Sequence, residues 1–232
     1  MMMYNKKILS RVTTPHGEVQ LQQVLDHGDS DLPVYEIIFN GVFLMASYNM
    51  RSEKELARHA IDPLVNGASS LSILMGGLGM GYTLRAALDY EKVTRVDVVE
   101  IENHIIDWAR TYFAGHNGRA LSDPRVCLIR GDVRDYVTAA GVRYDAIMID
   151  VDNGPKRLSR NENRDLYEKP LMKTIKNMLN DGGVFTLWSA HRCDAFQARL
   201  DDIFDAADIV TVADWDRRGN RTDYFIYRGR RG

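Results

Sequence analysis

The first fifty residues alternate between apolar and polar positions with a period of two. EVQLQQVL (18–25) has the pattern of a strand with one buried face, and VYEIIFNGVFLMAS (34–47) splits two apolar runs with Asn40-Gly41. Both residues of that pair tolerate positive φ, so it predicts a tight hairpin turn. Residues 8 to about 50 therefore read as strands. After Arg51 the period changes: SEKELARHAIDPL puts charges early and apolar residues at helical spacing, then meets Pro63 and the turn-like NGASS.

From Leu71 onward short apolar runs alternate with longer amphipathic ones: LSILM, YTLRAALDY, VTRVDVVE, NHIIDWARTYF, RVCLI, DYVTAA and YDAIMID. That alternation predicts βαβ units and a parallel sheet. A helix over LYEKPLMKTIKNMLN, a strand over GGVFTLW and a helix over CDAFQARLDDIF continue the series. DIVTVADW and TDYFIYR then stand too close together for a crossover helix, so they are expected to be antiparallel. The expected fold class is α/β: a Rossmann-like methyltransferase fold, mostly parallel with a C-terminal antiparallel hairpin, preceded by a small N-terminal β module. The expected division is residues 1–50 for the β module, 51–70 for a linking helix and 71–232 for the α/β domain.

Composition narrows the function classes. Thirty Lys and Arg against 32 Asp and Glu give a net charge of -2, which supplies no general field for nucleic acid or anionic lipid. The basic RGRRG end and the DRRGNR hairpin read as solvated charge. The start lacks an apolar leader core, and no run approaches the ~20 apolar residues of a membrane-spanning helix. Cys127 and Cys193 lack the spacing of a zinc site or a disulfide framework. A cytoplasmic protein with no nucleic-acid or membrane partner is expected, and no metal ligand is named.

The chemistry concentrates at strand ends. In LMGGLGMGYTLR, Gly76, Gly77, Gly79 and Gly81 follow the first buried strand and open a helix, where backbone amides can approach a ligand closely. Glu100 ends the second strand, placed for a carboxylate to accept hydrogen bonds from both ribose hydroxyls. The spacing does not fit G-x-G-x-x-G, since the third glycine position falls on Tyr82 or Leu84, which argues against a dinucleotide. Asp132 in IRGD and Asp150 in IMID sit at further strand ends of the same sheet. Ligands of open α/β sheets lie at those ends, so the three acids are expected to converge.

GGLGMGYTLR, VVEI, DPRVCLIRGDVRDY, YDAIMIDVDNGP and GGVFTLW, taken in order, resemble the spermidine synthase family of aminopropyltransferases, from about Tyr35 to Trp188. The resemblance implies that Glu100 binds the donor ribose, Asp132 the adenine amino group, and that Asp150 receives or orients the attacking amine. It implies a homodimer built partly through the N-terminal β module. The family's glycine motif carries an aspartate that contacts the donor's aminopropyl amine, and alignment on TLR puts Met80 there. The family's acceptor segment, Tyr-His-Glu, is replaced by ELARHAIDPL with His59, and its D-x-x-D-P-x-G-P loop by DVDNGP.

The expected co-substrate is therefore S-adenosylmethionine or its decarboxylated form, bound by Gly77, Gly79, Met80, Gly81, Glu100 and Asp132. The expected partner is a small-molecule amine acceptor, with Asp150 and neighbouring Asp152 as the catalytic acids that hold the ammonium and take its proton. Residues 153–169 are polar and read as a flexible cover, while Trp188 fits either an acceptor wall or the core. Aminopropyl transfer is the first reading. Methyl transfer from S-adenosylmethionine to a small molecule is the second, and a non-catalytic ligand-binding or dimerisation module the third.

Overall fold

Two sheets divide the chain. The computed structural model describes residues 5–25, 31–48, 50–139, 141–158, 160–215 and 220–232. Strands β1 (Lys6–Thr14), β2 (Gly17–Val24), β3 (Val34–Phe39) and β4 (Val42–Ala46) form an antiparallel meander in that order. The turn from β3 to β4 is the expected one, with positive φ at Asn40 (49°) and Gly41 (74°).

Helix α1 (Arg51–Val65) then leads into β5 (Leu71–Gly76), α2 (Tyr82–Leu88), β6 (Val93–Glu100), α3 (Asn103–Arg110), β7 (Val126–Arg130), α4 (Val133–Ala139) and β8 (Tyr144–Ile149). Helix α5 (Lys169–Met178), β9 (Leu179–Ser189), α6 (Asp194–Ile203), β10 (Ala206–Trp215) and β11 (Arg221–Arg230) complete it. The large sheet runs β10-β11-β9-β8-β5-β6-β7. Strands β5 to β9 pair in parallel, and β11 is antiparallel to both β9 and β10.

Alternate residues of the central strand feed opposite faces. Ile73 and Met75 join a core with α1, α2, α3 and the buried face of the N-terminal sheet, including Val19, Leu21 and Ile37. Leu74 joins a second core with α4, α5 and α6, built around Met172, Ile175, Phe196 and Leu200. A parallel strand buried on both faces reads as a continuous apolar run, as LSILM does.

Three boundaries differ from the sequence expectation. Helix α1 runs through Pro63 to Val65, because a proline two residues before a helix end breaks only one late hydrogen bond. The helix expected from Leu166 starts at Lys169, with Glu168 extended (φ -92°, ψ 152°) and Pro170 in the first turn, where its missing N–H is no loss. Leu166 and Tyr167 instead end a 3-10 turn over Asn161–Tyr167, and Leu179 and Asn180 open β9. Part of the basic DRRGNR hairpin, residues 216–219, lies outside the described residues.

Candidate active site

The order of the large sheet fixes where a ligand can enter. From β5 the chain moves outward through β6 to β7, then returns to place β8 on the other side of β5. At such a switch point adjacent loops part and leave a crevice over the strand ends. A cleft of about 370 Å³ opens there, within the usual range for small-molecule sites. It is lined by Gly77, Gly79, Glu100, Gly131, Asp132, Asp150 and Asp152, with the N-terminal sheet forming one wall.

Gly77 is needed at the crevice floor. Its φ is 88°, and a Cβ there would collide with the Asp150 carbonyl oxygen. The Gly77 N–H donates to Val99 O (2.9 Å) and the Asp150 N–H to Gly76 O (2.8 Å), which ties the tips of β5, β6 and β8 together. Gly79 also lines the cleft, and a Cβ on it would approach Met45 Sδ at 2.9 Å. Gly81 (φ 87°) caps α2 and faces Asn117, away from the cleft.

Met80 does not occupy the position expected for it. Its side chain is fully buried in the core shared by α1, α2 and α3, and its carbonyl accepts from Asn117 Nδ2 (3.0 Å). The left-handed glycines on either side turn Met80 inward and leave Gly79 as the residue of this turn that fronts the cleft.

Glu100 sits where expected, buried at the tip of β6. Its Oε2 accepts from the Leu78 N–H (2.8 Å) and its Oε1 from the Glu102 N–H (2.8 Å). Burial raises its pKa, with the two backbone donors working against the shift. Asp132 lines the same side but is engaged: Oδ2 accepts from Arg134 Nη2 (2.6 Å), and Arg160 lies 3.8 Å away. Burial pushes its pKa up, the Arg134 contacts outweigh that, and the net shift is downward.

Asp152 is anchored to the covering loop. Its side chain is buried, Oδ1 accepting from the Asn153 N–H (2.8 Å) and Oδ2 from Asn163 Nδ2 (3.0 Å). Residues 153–169 do cover one side of the cleft, through Arg157, Arg160, Asn163 and Leu166. The cover is packed rather than loose: Leu166 and Tyr167 are buried, Arg134 Nη1 donates to Glu162 O, and Arg199 Nη1 to Tyr167 O (2.9 Å).

Asp150 presents its carboxyl to the cleft at the tip of β8. Burial, then the charge of Glu100, raise its pKa to about 7. The sequence reading missed its counterpart, Glu53, in the first turn of α1. Glu53 is 7% exposed and lines the cleft, and Ser52 Oγ donates to its Oε2 (2.8 Å). Burial, then repulsion from Asp150, push its pKa to about 8. The only local signal was an acid in a helix's first turn, which usually serves the helix dipole and faces water.

Beside this pair stand Trp188 on β9 and Tyr224 on β11, with ring centroids 5.2 Å apart, and His191 and Thr222. The tips of β5, β6 and β7 therefore supply the backbone amides and acids that suit a nucleoside. Those of β8, β9 and β11, with α1, supply two strained carboxyls and an aromatic pair.

Known proteins place this architecture. Residues 50–200 match the spermine/spermidine synthase domain. Putrescine N-methyltransferase 2 of Nicotiana attenuata is 34% identical over 125 residues, 53% of this chain and 32% of that protein. Spermidine synthase 2 of Arabidopsis thaliana is 30% identical over 151 residues, 64% of this chain and 42% of its own length. The match thus spans about a third to two fifths of these relatives. The crystal structure of spermidine synthase from Thermotoga maritima superposes with a TM-score of 0.77 at 16% identity, covering 97% of this chain and 73% of that one, a likeness of fold. With the domain matching well over half of its length, the chain belongs to the spermine/spermidine synthase domain family.

Proposed function

We propose that the chain alkylates a small amine with an S-adenosyl sulfonium donor, moving an aminopropyl or a methyl group. The observation that carries this is the cleft at the switch point, which Asp150 lines together with the glycine turn and Glu53, and where burial and the charge of Glu100 raise its carboxyl to about 7. A general base poised near the operating pH is what an ammonium acceptor requires, because the nitrogen has no lone pair until it loses a proton.

Gly77 and Gly79 let the donor lie close to the backbone, and Glu100 faces the cleft to receive its ribose. Asp132, which lines the same cleft, is assigned to the adenine amino group. The ammonium passes one proton to Asp150, and the freed lone pair forms the N–C bond. The C–S bond breaks as it does so, its electrons return to sulfur, and a neutral thioether leaves. The sulfonium already carries its leaving group, so the remaining task of the protein is alignment and exclusion of water.

Methyl transfer is favoured over aminopropyl transfer by one feature, the absence of an acid on the glycine turn, where Gly79 fronts the cleft. A purely ligand-binding module would have no use for two destabilising carboxyls. A cytoplasmic homodimer belongs to the same reading. Ile8, Leu25 and Leu32 expose apolar surface toward the N-terminal sheet, and sedimentation equilibrium tests the dimer. No described helix is long and apolar enough to cross a membrane.

The deciding experiment incubates the protein with an amine panel and either S-adenosylmethionine or its decarboxylated form, and identifies products by mass spectrometry. The nucleoside thioether names the donor. Absence of any thioether with both donors rejects the transferase reading.

A further inference from the structure

The cover over the cleft is pinned at both ends. On one side the Ala190 N–H donates to Asn153 O (3.2 Å), and Gly154, at φ 97°, lies so close to the end of β9 that a Cβ on it would collide with Ser189 Oγ. On the other side Arg160 stands 3.8 Å from Asp132, just beyond β7, and Arg134 Nη1 donates to Glu162 O. Strands β9 and β7 are four places apart in the sheet, roughly 19 Å at the usual strand spacing. The chain from Gly154 to Arg160 extends to about 20 Å. It therefore passes over the tips of β8, β5 and β6 and has little length to go round them.

Arg157 is the middle of that span, and it lines the cleft. Its partners set it apart from the other arginine of the cover. Arg160 is shared between Asp132 and Glu162, whereas the Arg157 guanidinium has no acid within ion-pair distance among the described residues. Glu53, Glu100, Glu102, Asp132, Asp150 and Asp152 all line the same cleft, and none of them takes it. Its backbone is held, since the Arg157 N–H closes a turn onto Gly154 O (3.1 Å). A guanidinium offers a planar pair of donors that matches a carboxylate.

With the ribose at Glu100 on β6 and the attacking nitrogen at Asp150 on β8, the sulfonium lies between them, over β5. That puts the donor's tail beneath the span that carries Arg157. The two donors differ there by one group, a carboxylate that S-adenosylmethionine has and its decarboxylated form lacks. A carboxylate entering among these acids is repelled unless a cation meets it, and a tail that is only cationic gains nothing from a guanidinium. We propose that Arg157 receives the α-carboxylate of S-adenosylmethionine and so selects the donor, and with it methyl transfer. This rests on the transferase reading above and names its donor. The acceptor nitrogen gives its proton to Asp150 and bonds to the methyl carbon; the C–S bond breaks with its electrons passing to sulfur, and S-adenosylhomocysteine leaves.

Calorimetry of S-adenosylhomocysteine and methylthioadenosine, which differ by the amino-acid tail, tests this in the wild type and in Arg157→Gln. The variant should bind S-adenosylhomocysteine about fivefold to tenfold more weakly, the size of one charge-assisted contact partly open to water, with methylthioadenosine within about twofold of wild type. The second ligand also reports that the variant is folded. Equal loss for both ligands, or none for either, overturns the proposal. In turnover, the kcat/KM ratio of S-adenosylmethionine to its decarboxylated form should exceed about ten in the wild type and fall about tenfold in Arg157→Glu. A wild type that prefers the decarboxylated donor overturns the proposal and leaves the transferase reading intact. No thioether from either donor, with the selective loss of S-adenosylhomocysteine as expected, ends the transferase reading while the carboxylate site at Arg157 stands.

Discussion

Asp97 and Asp150 are both acids of the large sheet, one buried on β6 and one half-buried at the tip of β8, and their surroundings differ in kind. Asp97 is completely enclosed and completely served. Tyr144 donates to its Oδ2 (2.6 Å), Tyr136 lies 3.5 Å away, and Arg95 closes a two-pronged ion pair at 2.8 and 2.9 Å. Tyr136 and Tyr144 are linked to each other (2.5 Å), and burial, then the bond to Asp97, raises the Tyr144 pKa. Among the described residues no such set of donors surrounds the Asp150 carboxyl, and the charges that act on it or that it acts on, Glu100 and Glu53, are of like sign. A buried acid with its hydrogen bonds complete stabilises the fold; one left short costs stability and is retained for what it binds.

Removing Asp97 should therefore have the larger effect on folding. Asp97→Ala leaves two tyrosine hydroxyls and a guanidinium without their acceptor, and should cost about 3 to 4 kcal/mol, read as a Tm lower by roughly 10 °C. A loss under about 1 kcal/mol would erase the distinction between the two sites. Asp150→Asn should do the reverse, lowering kcat about a hundredfold while leaving Tm equal or higher and donor affinity within about twofold. Activity near wild type would end its assignment as the base.

Glu100 lies between these extremes, since its donors are two backbone amides that remain when the side chain goes. Glu100→Ala should weaken methylthioadenosine binding about thirtyfold by calorimetry, close to 2 kcal/mol. Unaltered affinity would put the ribose elsewhere.

The remaining effect is a pH dependence. The Glu53 and Asp150 carboxyls rise from 4.5 and 3.8 to about 8 and about 7 on folding, so the folded chain keeps protons that the unfolded chain has released. Stability contributed by the neutral acids is full below the unfolded values and is lost as pH rises through the folded ones. The ligand-free Tm should fall by several degrees between about pH 5 and pH 8, and Glu53→Gln should flatten the slope. A Tm that climbs across that interval would show that the pair is compensated by a cation.

Much of this architecture is legible from spacing alone. Asn40-Gly41 gives its hairpin, the apolar runs give the parallel strands, and the short gap before TDYFIYR gives the antiparallel end, because each rests on local geometry. Asp132, Asp150 and Glu100 come to one cleft because a strand end is a place that topology fixes. What hydrogen-bonds to those acids is not a local property. Arg134 stands two residues from Asp132, but Arg160 and Asn163 arrive through a loop whose path is set by packing. Glu53 was hidden because only tertiary burial distinguishes it from an ordinary acid at a helix start. Met80 was misplaced because three left-handed glycines decide which residue of the turn faces outward, and a string of letters does not carry the φ of each.

The cleft draws its walls from two sheets with different duties. The floor, where Gly77 abuts the Asp150 carbonyl, tolerates no side chain and couples three strand tips, so drift there is penalised at once. The wall of β3 and β4 belongs to a separate meander, and Val42 and Phe43 are partly exposed at its edge. Substitutions along that edge can reshape what the cleft admits without disturbing the strand tips that carry Glu100, Asp132 and Asp150. The fold thus separates a constrained floor of strand tips from an exchangeable wall, and the hairpin around Asn40-Gly41 is the place to vary what the cleft admits.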